Sequence, residues 1–158
     1  MKKILLSLVA VLTSLCMNAA TELYGSFSSW GATCTVDGTT ISYSEAWAGA
    51  GYWLATSSEE SDYIGRDLSS AEYIWVTLAK GNTANVKMVI QYTAGCVDGA
   101  SGTSQGSCDA GDIIIAAKLD ADKKNDVSQF FLQGTTDGTL TVTGVYAGTE
   151  AEYQEALK

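Results

Sequence analysis

The stretch "VSQFFLQGTTDGTLTVTGVYAG", residues 127–148, decides the fold. Counted by twos, Phe130 and Leu132 take one side of a strand, and Gln129, Phe131 and Gln133 take the other. "TTDG" then brings a turn signal, Asp137-Gly138, and a second run rich in Thr and Val follows. Alternation of period two, broken by Asp-Gly and resumed in β-branched residues, is the pattern of half-buried strands.

The same grammar extends in both directions. "FSSWGATCTV" and "TTISYSEAW" flank Asp37-Gly38, a hairpin signal. "GYWLAT", "AEYIWVTLAK", "ANVKMVIQYTA" and "GDIIIAAKLDA" read as further strands. Inward positions fall on Ile74, Val76 and Leu78, on Val86, Met88 and Ile90, and on Ile113, Ile115, Ala117 and Leu119. Roughly seven to nine short strands with turns between them predict an all-β fold, an antiparallel two-sheet sandwich or barrel. Only "GTEAEYQEALK" looks helical, with Thr149 and Glu152 at capping-box spacing, so the chain is expected to end in one or two helical turns.

The first 20 residues have a different character. Lys2 and Lys3, an apolar run from Ile4 to Leu15 and a small-residue end make the layout of a cleavable secretory signal peptide. Cleavage is expected after Ala19 or Ala20, leaving 21–158 as one domain. Leu15 directly before Cys16 argues against a lipid anchor there. The expected location is therefore secreted, periplasmic or cell-surface, with no insertion into the membrane.

Composition removes several function classes. Histidine is absent, which excludes Ser-His-Asp and Cys-His catalysis and imidazole-bound metals. The formal net charge is −9, two units more negative without Lys2 and Lys3, and Arg66 is the only arginine. A chain so short of cations is a poor ligand for phosphate backbones, so nucleic acid is not an expected partner. Cys34, Cys96 and Cys108 lie beyond the leader. Cys96 and Cys108 bracket a Gly/Ser segment that closes easily, and that pairing is favoured over pairs with Cys34; such a bridge stabilises by roughly 3 kcal/mol.

Acids at catalytic spacing are also missing. Glycoside hydrolysis needs two carboxylates facing each other across a bond. Glu59, Glu60 and Asp62 fall in a polar loop, and Glu45 has no second acid on a neighbouring strand. "DADKKND" begins like a calcium loop through Asp120, Asp122 and Asp126, but Lys124, Asn125 and Phe131 stand where a ligand, the turn glycine and the closing glutamate belong. It reads as a charged turn. No cofactor is expected, although a structural calcium held by backbone carbonyls would leave no signature here.

The outward faces are more informative. Trp75, between Ile74 and Val76, stands off the core face, as do Lys87, Val89 and Gln91 on the next strand, and Ile114, Ala116 and Lys118. Aromatic rings beside amides match a sugar, which offers an apolar C–H face and a rim of hydroxyls. Trp75 or Phe131 would be the platform, with Gln91, Gln129, Gln133 and Lys118 around it; the alternative is that a second layer covers Trp75. Trp47, in the glycine-rich "SEAWAGAGYW", is a rim candidate, whereas Trp53 reads as core and Trp30 as packing.

"DLSSAEYIWVTLA", "VKMVIQYTAG" and "VSQFFLQGTTDGTLTVTGVYAGT" together resemble the strand succession of carbohydrate-binding modules with the galactose-binding-like jelly-roll fold. The resemblance runs over roughly Ser42 to Gly148. It implies a secreted, non-catalytic glycan-binding module, with Trp75, Gln91, Gln129 and Phe131 on the binding face and Trp47 at its rim. The second reading is a structural sandwich that contacts other cell-surface proteins and has no sugar site. A glycoside hydrolase ranks third.

Overall fold

The computed structural model describes residues 19–56, 64–93 and 104–158. Among the described residues these elements follow in order: β1 (Thr21–Glu22), β2 (Phe27–Trp30), β3 (Cys34–Asp37), β4 (Thr40–Tyr43), β5 (Gly49–Trp53), β6 (Tyr73–Leu78), β7 (Val86–Tyr92), β8 (Ser104–Cys108), β9 (Ile114–Lys118), β10 (Val127–Gly134), β11 (Gly138–Gly148) and α1 (Glu150–Ala156). One sheet runs β3-β4-β11-β6-β9, and β1 pairs with the far end of β11 beyond β4. The other runs β2-β5-β10-β7-β8. Every pairing within the sheets is antiparallel, so of the sandwich and the barrel that the alternation allowed, the two-sheet sandwich implied by the resemblance is the observed architecture.

The core lies between the sheets. Phe130 and Leu132 from β10, Ile74 and Val76 from β6, Met88 and Ile90 from β7 and Ile115 from β9 are all buried there. Each large apolar side chain removed from water contributes roughly 1.5–3 kcal/mol, which is why the inward set follows the period-two pattern so closely. Ile113 departs from it. It sits just before β9 and is 52% exposed, because the strand begins one residue later and the alternation does not reach it.

Two connections cross from one sheet to the other. "FSSWGATCTV" splits into β2 and β3, and Gly31 with φ +89° makes the turn that carries the chain across. "TTDG" likewise links β10 in one sheet to β11 in the other, with Thr135 N–H donating to the Asn85 carbonyl at 2.8 Å. The turn at Gly38 is a true hairpin, pairing Asp37 with Thr40.

On the outer face of the β11/β6 sheet, α1 packs over the start of β6. Thr149 and Glu152 form the expected capping box. Glu150 N–H donates to the Glu72 carboxylate at 2.8 Å, tying the first turn to the start of β6. Tyr153 stacks on Tyr73 at 4.9 Å between ring centroids and leans on Trp75 at 5.8 Å. Tyr146 stacks against Trp75 from β11, also at 5.8 Å. Trp75 is consequently only 2% exposed, although it stands outside the core between the sheets.

Candidate functional site

Among the described residues, no helix or strand covers the outer face of the other sheet. Three rows of side chains cross that face, set by strand register. Trp53, Gln129 and Gln91 form one row; Ser28, Gly51, Phe131, Val89 and Gln105 the next; Trp30, Gly49, Gln133, Lys87 and Ser107 the third. Between them lies a cleft of about 680 Å³, walled chiefly by Trp30, Phe131, Gln129, Gln133, Gln91 and Lys87. From Gln129 to Gln133 the floor follows β10 for roughly 14 Å at the usual strand rise.

The cleft exists because β5 contributes no side chain at its centre. A methyl group on Gly49 would come within 2.8 Å of Trp30 Cε3, so the indole lies directly on the glycine backbone. Gly51 similarly leaves room for the side-chain oxygen of Gln129, which would sit 3.4 Å from an added Cβ. Trp30 remains 58% exposed, and its ring is tilted against Phe131 at 5.7 Å between centroids. These two rings form an apolar wall in an otherwise polar cleft.

The amides are held in position. Gln129 Nε2 donates to Gln91 Oε1 at 2.6 Å, and Gln133 Nε2 donates to the Trp47 carbonyl at 3.1 Å. Trp47 has φ +74°, a left-handed conformation that costs a non-glycine residue roughly 1–3 kcal/mol. Its N–H donates to the Gly134 carbonyl at 2.6 Å, so β10 grips it from both sides of the peptide while the indole stays 63% exposed. Strain of this kind persists only where the surroundings enforce it, and here it presents a ring to solvent at the Gln133 end of the cleft.

A second hollow, about 230 Å³, lies at the sandwich edge beside Glu22, Tyr24, Phe27, Tyr52 and Thr143. It has an exposed ring in Tyr24 but no side-chain amide or cation in its lining. The larger cleft is chemically better equipped to hold a polyhydroxylated ligand.

No family model matches the chain, and no curated protein matches it. Solved structures do. A mutant of the family 29 carbohydrate-binding module CBM29-2, in complex with mannohexaose, aligns with TM-score 0.54 at 10% identity over 85% of this chain and 94% of its own. A second family 29 mutant aligns with TM-score 0.51 at 12% identity, covering 78% of this chain and 83% of its own. A family 29 module from Piromyces equi aligns with TM-score 0.50 at 11% identity over 85% and 89% respectively. The chain has the β-sandwich fold of these carbohydrate-binding modules. At such identities the likeness concerns fold, and the site must be argued from this chain's own side chains.

Within that module fold, the residues singled out from sequence are distributed unevenly. Gln91, Gln129 and Phe131 meet in the cleft, and Trp47 stands near its Gln133 end. Trp75 does not join them. It lies on the opposite sheet beneath α1, because β6 and β10 are strands of different sheets. Lys118 is on that sheet too, with its ammonium 5.7 Å from the Tyr73 ring centroid. Conversely, Trp30 is a cleft wall instead of packing. Trp53 is half-buried on the cleft-side face, while its neighbour Tyr52 fills the core and donates to the Leu23 carbonyl at 2.6 Å. The signal for Trp30 was its parity with Ser28, opposite to the core-packed Phe27.

The remaining candidates have structural settings. The bridge expected between Cys96 and Cys108 is not shown: Cys108 is a buried free thiol, as is Cys34, and Cys96 lies outside the described residues, as do Cys16, Glu59, Glu60 and Asp62. Burial pushes the Cys108 thiol up to about 11, with Asp112 adding to the effect. Glu45 is exposed. The carboxylates of "DADKKND" serve the turn: Asp120 accepts from Asp122 N–H and pairs with Lys123 at 3.3 Å, and Asp126 accepts from Gly65 N–H at 3.1 Å. Among the described residues no three His, Cys, Asp or Glu side chains converge on a metal-sized site.

Proposed function

We propose that this chain is a secreted, non-catalytic glycan-binding module, and that its ligand lies in the cleft over β10. The observation that carries the reading is the pairing of Trp30 and Phe131 as an apolar wall beside amide side chains. A sugar ring laid on such a wall buries its C–H face, while amides donate to and accept from its hydroxyls. Among the described residues no acid lines the cleft, which supports binding without hydrolysis, since hydrolysis requires a pair of carboxylates. The fold shared with modules of this kind, one of them solved with mannohexaose, lends further support.

The experiment is a calorimetric titration of the protein from about Thr21 onward against a panel of oligosaccharides, repeated with Trp30→Ala and Phe131→Ala. Saturable binding by the unaltered protein, weakened at least tenfold in both variants with unchanged thermal stability, is expected. Binding that neither substitution disturbs would place the site elsewhere, and silence across the panel would favour a sandwich with no sugar site.

A further inference from the structure

Lys87 distinguishes this cleft from a generic sugar platform. The protein carries 18 acidic and 9 basic residues, so an average surface groove would hold more carboxylates than cations. Among the described residues this one holds the reverse: Lys87 lines it, and no Asp or Glu does. Register places Gln133 on one side of Lys87 and Ser107 on the other, both neutral. Among the described residues the Lys87 ammonium makes neither an ion pair nor a hydrogen bond, whereas Lys123 and Lys158 both pair with carboxylates and Lys124 donates to the Ala71 carbonyl.

A half-buried ammonium facing a cleft whose described lining holds no counter-charge favours an anionic ligand group at that position. From this we infer that the glycan is an acidic one, bearing uronate carboxylates or sulfate esters, and that Lys87 reads its charge. The inference rests on the glycan-binding reading above. The row geometry also gives the placement. Lys87 and Trp30 share the third row across the sheet, with Gln133 and Gly49 between them, and Phe131 lies in the row beside it. A ring stacked on Trp30 and Phe131 would therefore direct one edge substituent toward Lys87. The amides serve the uncharged hydroxyls, since each offers both a donor and an acceptor. The chain's overall negative charge opposes long polyanions, but that repulsion is screened beyond about 8 Å at physiological salt, whereas direct contact with Lys87 is not.

The test uses matched pairs of short ligands: oligogalacturonate against its methyl ester, and a sulfated galactan oligosaccharide against its desulfated form. Each is titrated calorimetrically into the protein and into Lys87→Met, which keeps the apolar stem and removes the charge. One charge-assisted hydrogen bond corresponds to about a tenfold to hundredfold preference for the charged member of a pair. That preference, the ratio of the two affinities within each pair, should collapse toward one in Lys87→Met, because the charged member loses more affinity than the neutral one. Which pair shows it separates carboxylate from sulfate. Equal binding of charged and neutral members, still sensitive to Trp30→Ala, would overturn the acidic-glycan inference and leave the glycan reading standing. No binding of any member, together with silence across the neutral panel, would remove both.

Discussion

Replacing Trp75 with alanine should unfold the protein more easily and leave ligand binding alone. The indole is 98% removed from water by β6, Tyr146 and Tyr153. A buried aromatic of this class hides roughly 150–250 Å², worth about 4–6 kcal/mol at 25 cal/mol per Å² as an upper bound. Alanine retains a little of that, and the site between sheet and helix collapses in part, so the expected cost is about 3–5 kcal/mol. The assay is equilibrium urea unfolding followed by far-ultraviolet circular dichroism. With a slope of about 2 kcal/mol/M, the midpoint should fall by roughly 1.5–2.5 M with the slope preserved. Glycan affinity, measured under conditions where the variant stays folded, should match the unaltered protein. A variant of near-normal stability that no longer binds sugar would refute the reasoning, because it would make Trp75 a platform and α1 a dispensable cover.

Three other perturbations follow from the same geometry. Gly49→Ala drives a methyl group into the Trp30 ring, which is exposed and free to lift, so stability should change by less than about 0.5 kcal/mol while affinity drops roughly two- to tenfold; unchanged calorimetric affinity would mean that Trp30 is not in the ligand's path. Thr149→Ala removes the cap of α1 and should cost about 1 kcal/mol, with Trp75 emission moving to longer wavelength as Tyr153 loosens; an unmoved spectrum would contradict the covering role of the helix. Stability should also decline in alkali. Burial raises the Cys108 thiol from 9.0 to about 11 and pushes the Tyr43 phenol up from 10.0. Both are acids kept neutral in the folded state, so their contribution is intact below pH 9 and erodes as pH rises past it. Urea midpoints that stay level from pH 8 to pH 11 would contradict this.

The individual strands were legible because burial has period two. Phe130 and Leu132 had to point one way and Gln129, Phe131 and Gln133 the other, and with Gln91 four of the cleft's walls could be named as binding residues before any coordinates. Alternation is silent about partners. It separates Trp75 from Ile74 but does not say which sheet β6 joins, and strand pairing is decided by contacts far apart in sequence. So Trp75 and Phe131, which look equivalent as outward aromatics, end on opposite outer faces of the sandwich. The cover over Trp75 was half visible. The capping box announced α1, but nothing in a seven-residue helix announces where it docks; Glu72 and the Tyr73–Tyr153 stack decide that. Trp53 was misplaced for a local reason. Glycines at 49 and 51 blur the alternation of β5, since a glycine votes for neither face.

The central claim is that a glycan lies over β10 between Trp30 and Lys87. Its most direct test is a nuclear magnetic resonance titration of isotope-labelled protein with the tightest oligosaccharide of the panel, following side-chain amide and indole signals. The account predicts saturable shifts of the Gln91, Gln129 and Gln133 amides and the Trp30 indole, with the Trp75 indole unmoved. Shifts confined to the edge hollow around Tyr24 and Thr143, with the cleft signals still, would contradict it.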